Sequence, residues 1–153
     1  MVITHHGGQC FKVTLGDLTL VFDPISKGST LPAVRFGADI ALVSHNSPDA
    51  NGIEEVTYGD KVPFAVTGPG EYERAGVTIR GFISKGPDGS INTIYMVQLE
   101  DMTLVHLGAL AGVELPAEAR ESIDEVDVLF VPVGAPKAHE LAVTLEPKLL
   151  IPM

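Results

Sequence analysis

The sequence predicts an α/β chain of the α+β kind, with sheets packed face to face and helices outside, on three observations. Strand signals fill residues 2–107, helical composition is confined to two late segments, and one strand is apolar on both faces. The first strand begins at Val2. Residues 10–15 alternate around Phe11, Val13 and Leu15, and after Gly16-Asp17 the chain returns through residues 18–22, which reads as a hairpin. Residues 25–36 hold Gly28, Ser29, Thr30 and Pro32 and read as a loop. Ile40, Ala41, Leu42 and Val43 follow as a short apolar run, the pattern of an interior strand.

Asn51-Gly52 opens a polar stretch to Lys61. Residues 63–67 and 77–83 then read as strands on either side of the turn at Gly68-Pro69-Gly70 and a second turn at Ala75-Gly76. Residues 94–99 and 102–107, joined by Glu100-Asp101, form a second hairpin. Residues 116–123 are helical in composition with a proline at the start, residues 126–131 are an apolar strand, and residues 138–145 form a short helix before a final apolar segment at 149–153. No internal repeat and no low-complexity tract is visible.

A length of 153 residues suits one domain, 1–153, and 45% apolar with 20% charged residues suits a folded one. Lys and Arg number 10 against 20 Asp and Glu, a net charge of -10, with no basic cluster. That balance repels phosphate, so neither nucleic acid nor an anionic membrane surface is an expected partner. Cys10 is the only cysteine, which excludes an intramolecular disulfide and a thiolate zinc knuckle and suits a reducing, cytoplasmic setting. No apolar stretch reaches the roughly 18 residues of a membrane span, and no secretory leader is legible.

Residues 38–50, including Ser44, His45, Asn46, Ser47, Pro48, Asp49 and Ala50, resemble the strand and metal-binding loop of the metallo-beta-lactamase superfamily, especially its small branch of predicted zinc-dependent hydrolases. Further blocks resemble that branch in the same order: Gly7-Gly8-Gln9-Cys10-Phe11, Phe22-Asp23-Pro24, Gly68-Pro69-Gly70-Glu71-Tyr72-Glu73, Gly76-Val77-Thr78-Ile79-Arg80-Gly81, Asn92-Thr93-Ile94-Tyr95, His106-Leu107-Gly108, Val126-Asp127-Val128-Leu129, Val131-Pro132-Val133-Gly134 and Ile151-Pro152-Met153. The resemblance implies a metallo-beta-lactamase-like αββα sandwich of two mixed sheets with flanking helices. It also implies, for an active member, one or two metals at the sheet edge. A longer segment is implied after Val133-Gly134, so the fold is expected to be shortened at residues 135–140.

The ligand pattern of that branch is incomplete here. Its loop reads His, any, His, any, Asp, His, and this sequence supplies His45 and Asp49 but has Ser47 and Ala50 at the other two places. Gly8 stands where a site-lining imidazole is implied, residues 84–88 lack the implied histidine, and Ala109 replaces the bridging carboxylate after Gly108. A last ligand is implied beyond Met153, where the sequence stops. Two ligands fall short of the three or four that zinc requires, so no metal, other cofactor or catalytic residue is expected. His45 and Asp49 are then vestigial candidates, and Ser47, Ala50 and Ala109 lost positions.

The residues themselves allow plainer roles. A buried imidazole and a carboxylate at His45 and Asp49 can hold a tight loop by side-chain-to-backbone hydrogen bonds. His106 reads as a core histidine and Asp23 as a brace for neighbouring loops. His5 and His6 are strand neighbours pointing to opposite faces, so they cannot chelate one ion from one face. Cys10 reads as a small buried hydrophobe, and sequence adjacency of Ser44 or Ser47 to His45 does not make a nucleophile and base. Gly68-Pro69-Gly70 lacks the lysine and length of a phosphate loop and reads as a turn.

The leading expectation is therefore a non-catalytic protein of this fold serving as a binding or structural module, its small-molecule ligand unknown, and a homo-oligomer is compatible with so apolar a small chain. The alternative is a metal-dependent hydrolase using His45, Asp49, non-standard ligands and a metal-bound water.

Overall fold

A computed structural model of the chain describes residues 1–112, 114–133 and 138–153. The chain divides into two compact units, residues 1–67 and 68–153. The first unit holds a five-stranded mixed sheet in the order β1 (Val2–Gly7), β2 (Cys10–Leu15), β3 (Leu18–Phe22), β4 (Ile40–Leu42) and β5 (Phe64–Val66). β1, β2 and β3 run antiparallel, and β4 and β5 add in parallel. The β2–β3 turn occupies two residues, Leu15 pairing with Leu18, and its Gly16 sits at φ 56, a conformation glycine adopts without a Cβ clash. β4 is buried throughout and flanked on both edges, as its apolar run predicts.

Alternation sends Cys10, Val21 and Ala41 to one face of this sheet, where Ile25, Val34, Ala38 and Val56 cover them with Leu31 and Phe36 beside them. The segment read as a loop at 25–36 thus performs the covering role of a helix. Phe11, Leu20, Phe22, Ile40 and Leu42 on the opposite face are buried as well.

The second unit holds a six-stranded mixed sheet in the order β11-β10-β9-β8-β7-β6, with β6 at Gly70–Arg74, β7 at Val77–Lys85, β8 at Ile91–Leu99, β9 at Met102–His106, β10 at Val128–Val131 and β11 at Leu149–Pro152. β6 to β9 are successively antiparallel; β9, β10 and β11 are parallel. β6 escapes sequence reading because its residues are polar and mostly exposed, leaving no alternation to detect. Helices α1 (Ala117–Ser122) and α2 (Ala138–Leu145) contribute Ala119, Leu141 and Leu145 to a core with Phe82, Ile94, Met96, Val105 and Leu129. Helices of six and eight residues do not hold alone in water, so this burial is what stabilises α1 and α2. The shortened connection expected at 135–140 lies at residues 135–137 outside the described residues, as does Gly134 of the adjoining block.

β1 to β5 and β7 to β11 repeat one plan: two antiparallel pairings followed by two parallel ones, in the same order. Each unit fastens its parallel strands with the same clamp. In the first, Asp39 N–H donates to the Thr19 carbonyl at 2.8 Å, while Asp39 Oδ2 accepts the Thr19 N–H at 2.7 Å and Lys61 Nζ at 2.8 Å. In the second, Asp127 N–H donates to the Thr103 carbonyl at 2.9 Å, Oδ2 accepts the Thr103 N–H at 2.7 Å, and Oδ1 accepts Lys148 Nζ at 2.7 Å. The sequence shows no repeat because the Thr and Asp of the clamp stand 20 residues apart in one unit and 24 in the other.

Candidate functional site

In the first unit the family-like positions lie on the loop that follows β4. Asp23, just past β3, is fully buried at φ 45, and its N–H donates to the Leu42 carbonyl at 2.8 Å. Its carboxylate accepts the Ser44 N–H and the Ser44 hydroxyl, each at 2.7 Å, and Ser44 Oγ lies 2.8 Å from His45 Nδ1. With Asp23 ionised the hydroxyl proton is committed to Oδ2, so Ser44 Oγ accepts from His45 Nδ1 and the imidazole keeps its lone pair on Nε2. Burial pushes the Asp23 carboxyl up to about 7, against the two Ser44 hydrogen bonds, which favour the charged form. Burial also holds His45 below the ordinary imidazole range, opposed by the charge of Asp49, so the ring favours its neutral form.

This order, Asp to Ser to His, differs from that of a nucleophilic triad. Ser44 is 2% exposed and its oxygen sits between two partners, so it is a spacer and not an attacking group. Asp23 braces the loop, as read from sequence.

His45 is half-buried and Asp49 is exposed. The Asp49 carboxylate accepts the Ser29 hydroxyl, and the Ser29 oxygen in turn accepts the Leu31 N–H at 2.9 Å. The side-chain-to-backbone bonds expected of His45 and Asp49 come instead from Ser47, whose Oγ accepts the Asp49 N–H at 3.3 Å, and from Ser26, whose hydroxyl donates to the Pro48 carbonyl at 2.7 Å. A hydroxyl can cap a turn two residues along its own backbone, where a carboxylate on a longer arm reaches across to Ser29. Gly52 closes the loop: its N–H donates to the Pro24 carbonyl at 2.8 Å, and a Cβ there would stand 2.7 Å from the Ile25 carbonyl carbon. Ala50 is fully buried.

In the second unit Ala109 lies on the segment after β9, and the residue that organises it is Asn92. Asn92 is fully buried on β8; its amide donates to Ser84 Oγ at 2.8 Å and the Leu107 carbonyl at 3.0 Å, while its oxygen accepts the Ala109 N–H at 2.8 Å. The Ala111 N–H adds a bond to the Lys85 carbonyl at 3.0 Å. Sequence reasoning placed Asn92 in a family-like block without giving it a role; an amide inside the apolar run Ile91–Leu99 is the signal that marked it. No histidine occurs at 84–88, and Asp88 takes φ 56 in a short turn there.

The remaining candidates are separate from these loops. His106 is fully buried, tilted on Phe130 at 5.6 Å, and its Nδ1 accepts the Gly108 N–H at 3.2 Å, a core histidine as expected. His5 stacks on Phe11 at 4.5 Å and donates to the Gly8 carbonyl, whereas His6 lies against Phe36 at 5.1 Å. Cys10 is fully buried, and burial pushes its thiol up to about 12. At Gly68-Pro69-Gly70 two carbonyls accept the Tyr72 hydroxyl, so this segment presents acceptors and not a phosphate cradle.

Among the described residues, no group of three or more His, Cys, Asp and Glu side chains could hold a metal ion. The donor set present does not fit the family's zinc. Among the described residues, no helix is long and apolar enough to cross a membrane.

The family model for a beta-lactamase superfamily domain matches residues 2–153. A protein of Thermotoga maritima placed among the zinc-dependent hydrolases of the metallo-beta-lactamase superfamily is 34% identical, with a TM-score of 0.80 over 99% of this chain and 74% of its own. A proposed metal-dependent hydrolase of Parabacteroides distasonis is 16% identical with a TM-score of 0.72 over 98% and 80% of the two chains. Igni18, a metallo hydrolase of Ignicoccus hospitalis, is 15% identical with a TM-score of 0.68 over 99% and 81%. No curated protein matches. With the two mixed sheets and their helices in place and the family model spanning almost every residue, the chain belongs to the metallo-beta-lactamase superfamily and lacks, among its described residues, a complete metal-binding cluster.

Proposed function

We propose that this protein is a non-catalytic member of its superfamily that serves as a binding or structural module, working as a single domain over residues 1–153 in the cytoplasm, without a metal or other cofactor. One observation carries the reading: the described residues offer no three-ligand cluster, and zinc takes three or four protein ligands. Local bonding supports it. The Asp49 carboxylate is engaged by Ser29, Ser47 caps its own loop, and Asn92 occupies the Ala109 N–H. His45 and Asp49 are on this reading vestiges of a ligand set, with Ser47, Ala50 and Ala109 the vacated positions. Association of copies into a homo-oligomer fits the apolar composition, and the acidic balance argues against a nucleic-acid partner.

The second reading, a metal-dependent hydrolase built on His45 and Asp49 with unfamiliar ligands, is favoured by the 34% identity to the Thermotoga protein. Metal stoichiometry separates the two. Untagged protein is equilibrated with zinc, manganese or iron, freed of excess ion and analysed by elemental mass spectrometry. Near zero metal per chain is expected for all three. About one metal per chain, lost in His45→Ala, would overturn the metal-free reading and justify a hydrolase substrate screen.

A further inference from the structure

We infer that the second unit carries a binding groove for a small amphipathic anion, an apolar tail with a compact carboxylate or phosphate head. The inference names the ligand class of the binding module proposed above and rests on that reading for its biological use, but its test reads anion binding and not metal content.

The groove, about 880 Å³, lies where the end of the β7–β8 hairpin, residues 110, 112 and 114–116, and α1 meet, and every lining residue belongs to the second unit. Its size falls within the range of about 300–1,000 Å³ that small-molecule sites occupy. The walls are apolar: Ile83, Ile91, Leu110 and Leu115 line it. Ile83 is 56% exposed and Ile91 66%, on strands paired so that Ile83 faces Thr93 and Ile91 faces Lys85. Two large aliphatic side chains left in water beside one concavity mark a surface suited to an apolar occupant.

The sign of the head group comes from Lys85 and Arg120, which also line the groove. Elsewhere, among the described residues, the cations of this acidic chain are committed. Lys27, Lys61, Arg80 and Lys148 pair with carboxylates, Lys12 and Arg35 lie over aromatic rings, and Arg74 has a partner of its own. Among the described residues Lys85 and Arg120 alone lack an ion pair or ring contact, and both reach one groove. Among the described lining residues Glu114 is the one carboxylate, so two positive charges face one negative and the balance favours an anion.

Calorimetric titration of the full chain tests this with decanoate and decyl phosphate, below their micelle-forming concentrations, against decyltrimethylammonium and propionate. Saturable binding of a ten-carbon anion is expected, with the stronger of the two arms identifying the head group; the cation and the short acid should bind at least tenfold more weakly. Lys85→Gln and Arg120→Gln should each weaken the anion about tenfold, and Glu114→Gln should tighten it. All three side chains are exposed, and circular dichroism verifies folding. Equal binding of the cation, anion binding indifferent to all three variants, or no anion binding at millimolar concentration would each overturn the site. A chain that binds decanoate and also one zinc keeps the groove and loses the non-catalytic reading, whereas a chain that binds neither keeps that reading and loses the groove.

Discussion

The two units share a strand plan and an Asp–Thr–Lys clamp, yet they secure the loops that resemble the family's ligand segments by opposite chemistry. The first unit buries an ionisable group: Asp23 holds Ser44, and Ser44 holds His45. The second buries a neutral amide, Asn92, which holds Ser84, Leu107 and Ala109. A buried carboxylate ties its loop to proton concentration, whereas a buried amide does not. One fold therefore presents a titratable loop and a fixed loop on equivalent strand frameworks.

The largest effect is expected from breaking the fixed loop. Asn92→Ala orphans the Leu107 carbonyl and the Ala109 N–H and removes a buried partner of Ser84, which should cost about 3–5 kcal/mol in denaturant unfolding. A cost under about 1 kcal/mol would mean that water replaces the amide and that the loop is not fixed by it.

The titratable loop is tested by pH. Asp23 has a folded pKa raised to about 7 from an ordinary 3.8, so the folded state takes up a proton that the unfolded state has released. Its contribution to stability is complete below about pH 4, falls as pH rises toward 7, and then levels. Asp23→Asn should flatten that fall, and the same variant pair should show no change in slope below pH 4. An unchanged profile between pH 4 and 7 would remove the contrast between the loops.

The smallest effect concerns the clamps that the units share. For Asp39, burial raises the carboxyl and is outweighed by the hydrogen bonds of Lys61 and the Thr19 N–H and by the Lys61 charge; for Asp127, the Lys148 hydrogen bond and the Thr103 N–H hold it low. A depressed carboxylate stabilises above its unfolded pKa and loses that contribution as pH falls through the folded value. Asp39→Asn and Asp127→Asn should each lower stability modestly at neutral pH and lessen the loss on acidification below about pH 4. If only one of them does so, the clamps match in geometry but not in energy.

Most of the strand framework was legible because alternation and turn chemistry are local. Gly16-Asp17 and Glu100-Asp101 announce their hairpins, and the apolar run at Ile40 announces an interior strand. β6 was not, since Glu71, Glu73 and Arg74 carry no buried face to alternate with. The loop after β4 was legible through His45 and Asp49 as a resemblance, but their bonding was not. That Ser29 reaches Asp49 and that Ser47 caps the turn depend on which chain segments meet across 20 residues or within two, and no periodicity encodes either. Asn92 was invisible as a clamp for the same reason: its three partners lie 8 to 17 residues away. The repeat of the two units was hidden because it resides in backbone pairing, where unlike residues serve equally well.

The complete burial of Ala50 bears on which substitutions this loop can accept. An imidazole at that position would have to enter filled space and push neighbours apart, a strain of about 1–3 kcal/mol or more, while Ser47, half-exposed on the same loop, could accept one at the loss of a single cap bond. The family's loop pattern is thus within reach at Ser47 and shut at Ala50, because packing closed over a small side chain makes the larger one costly at only one of the two positions.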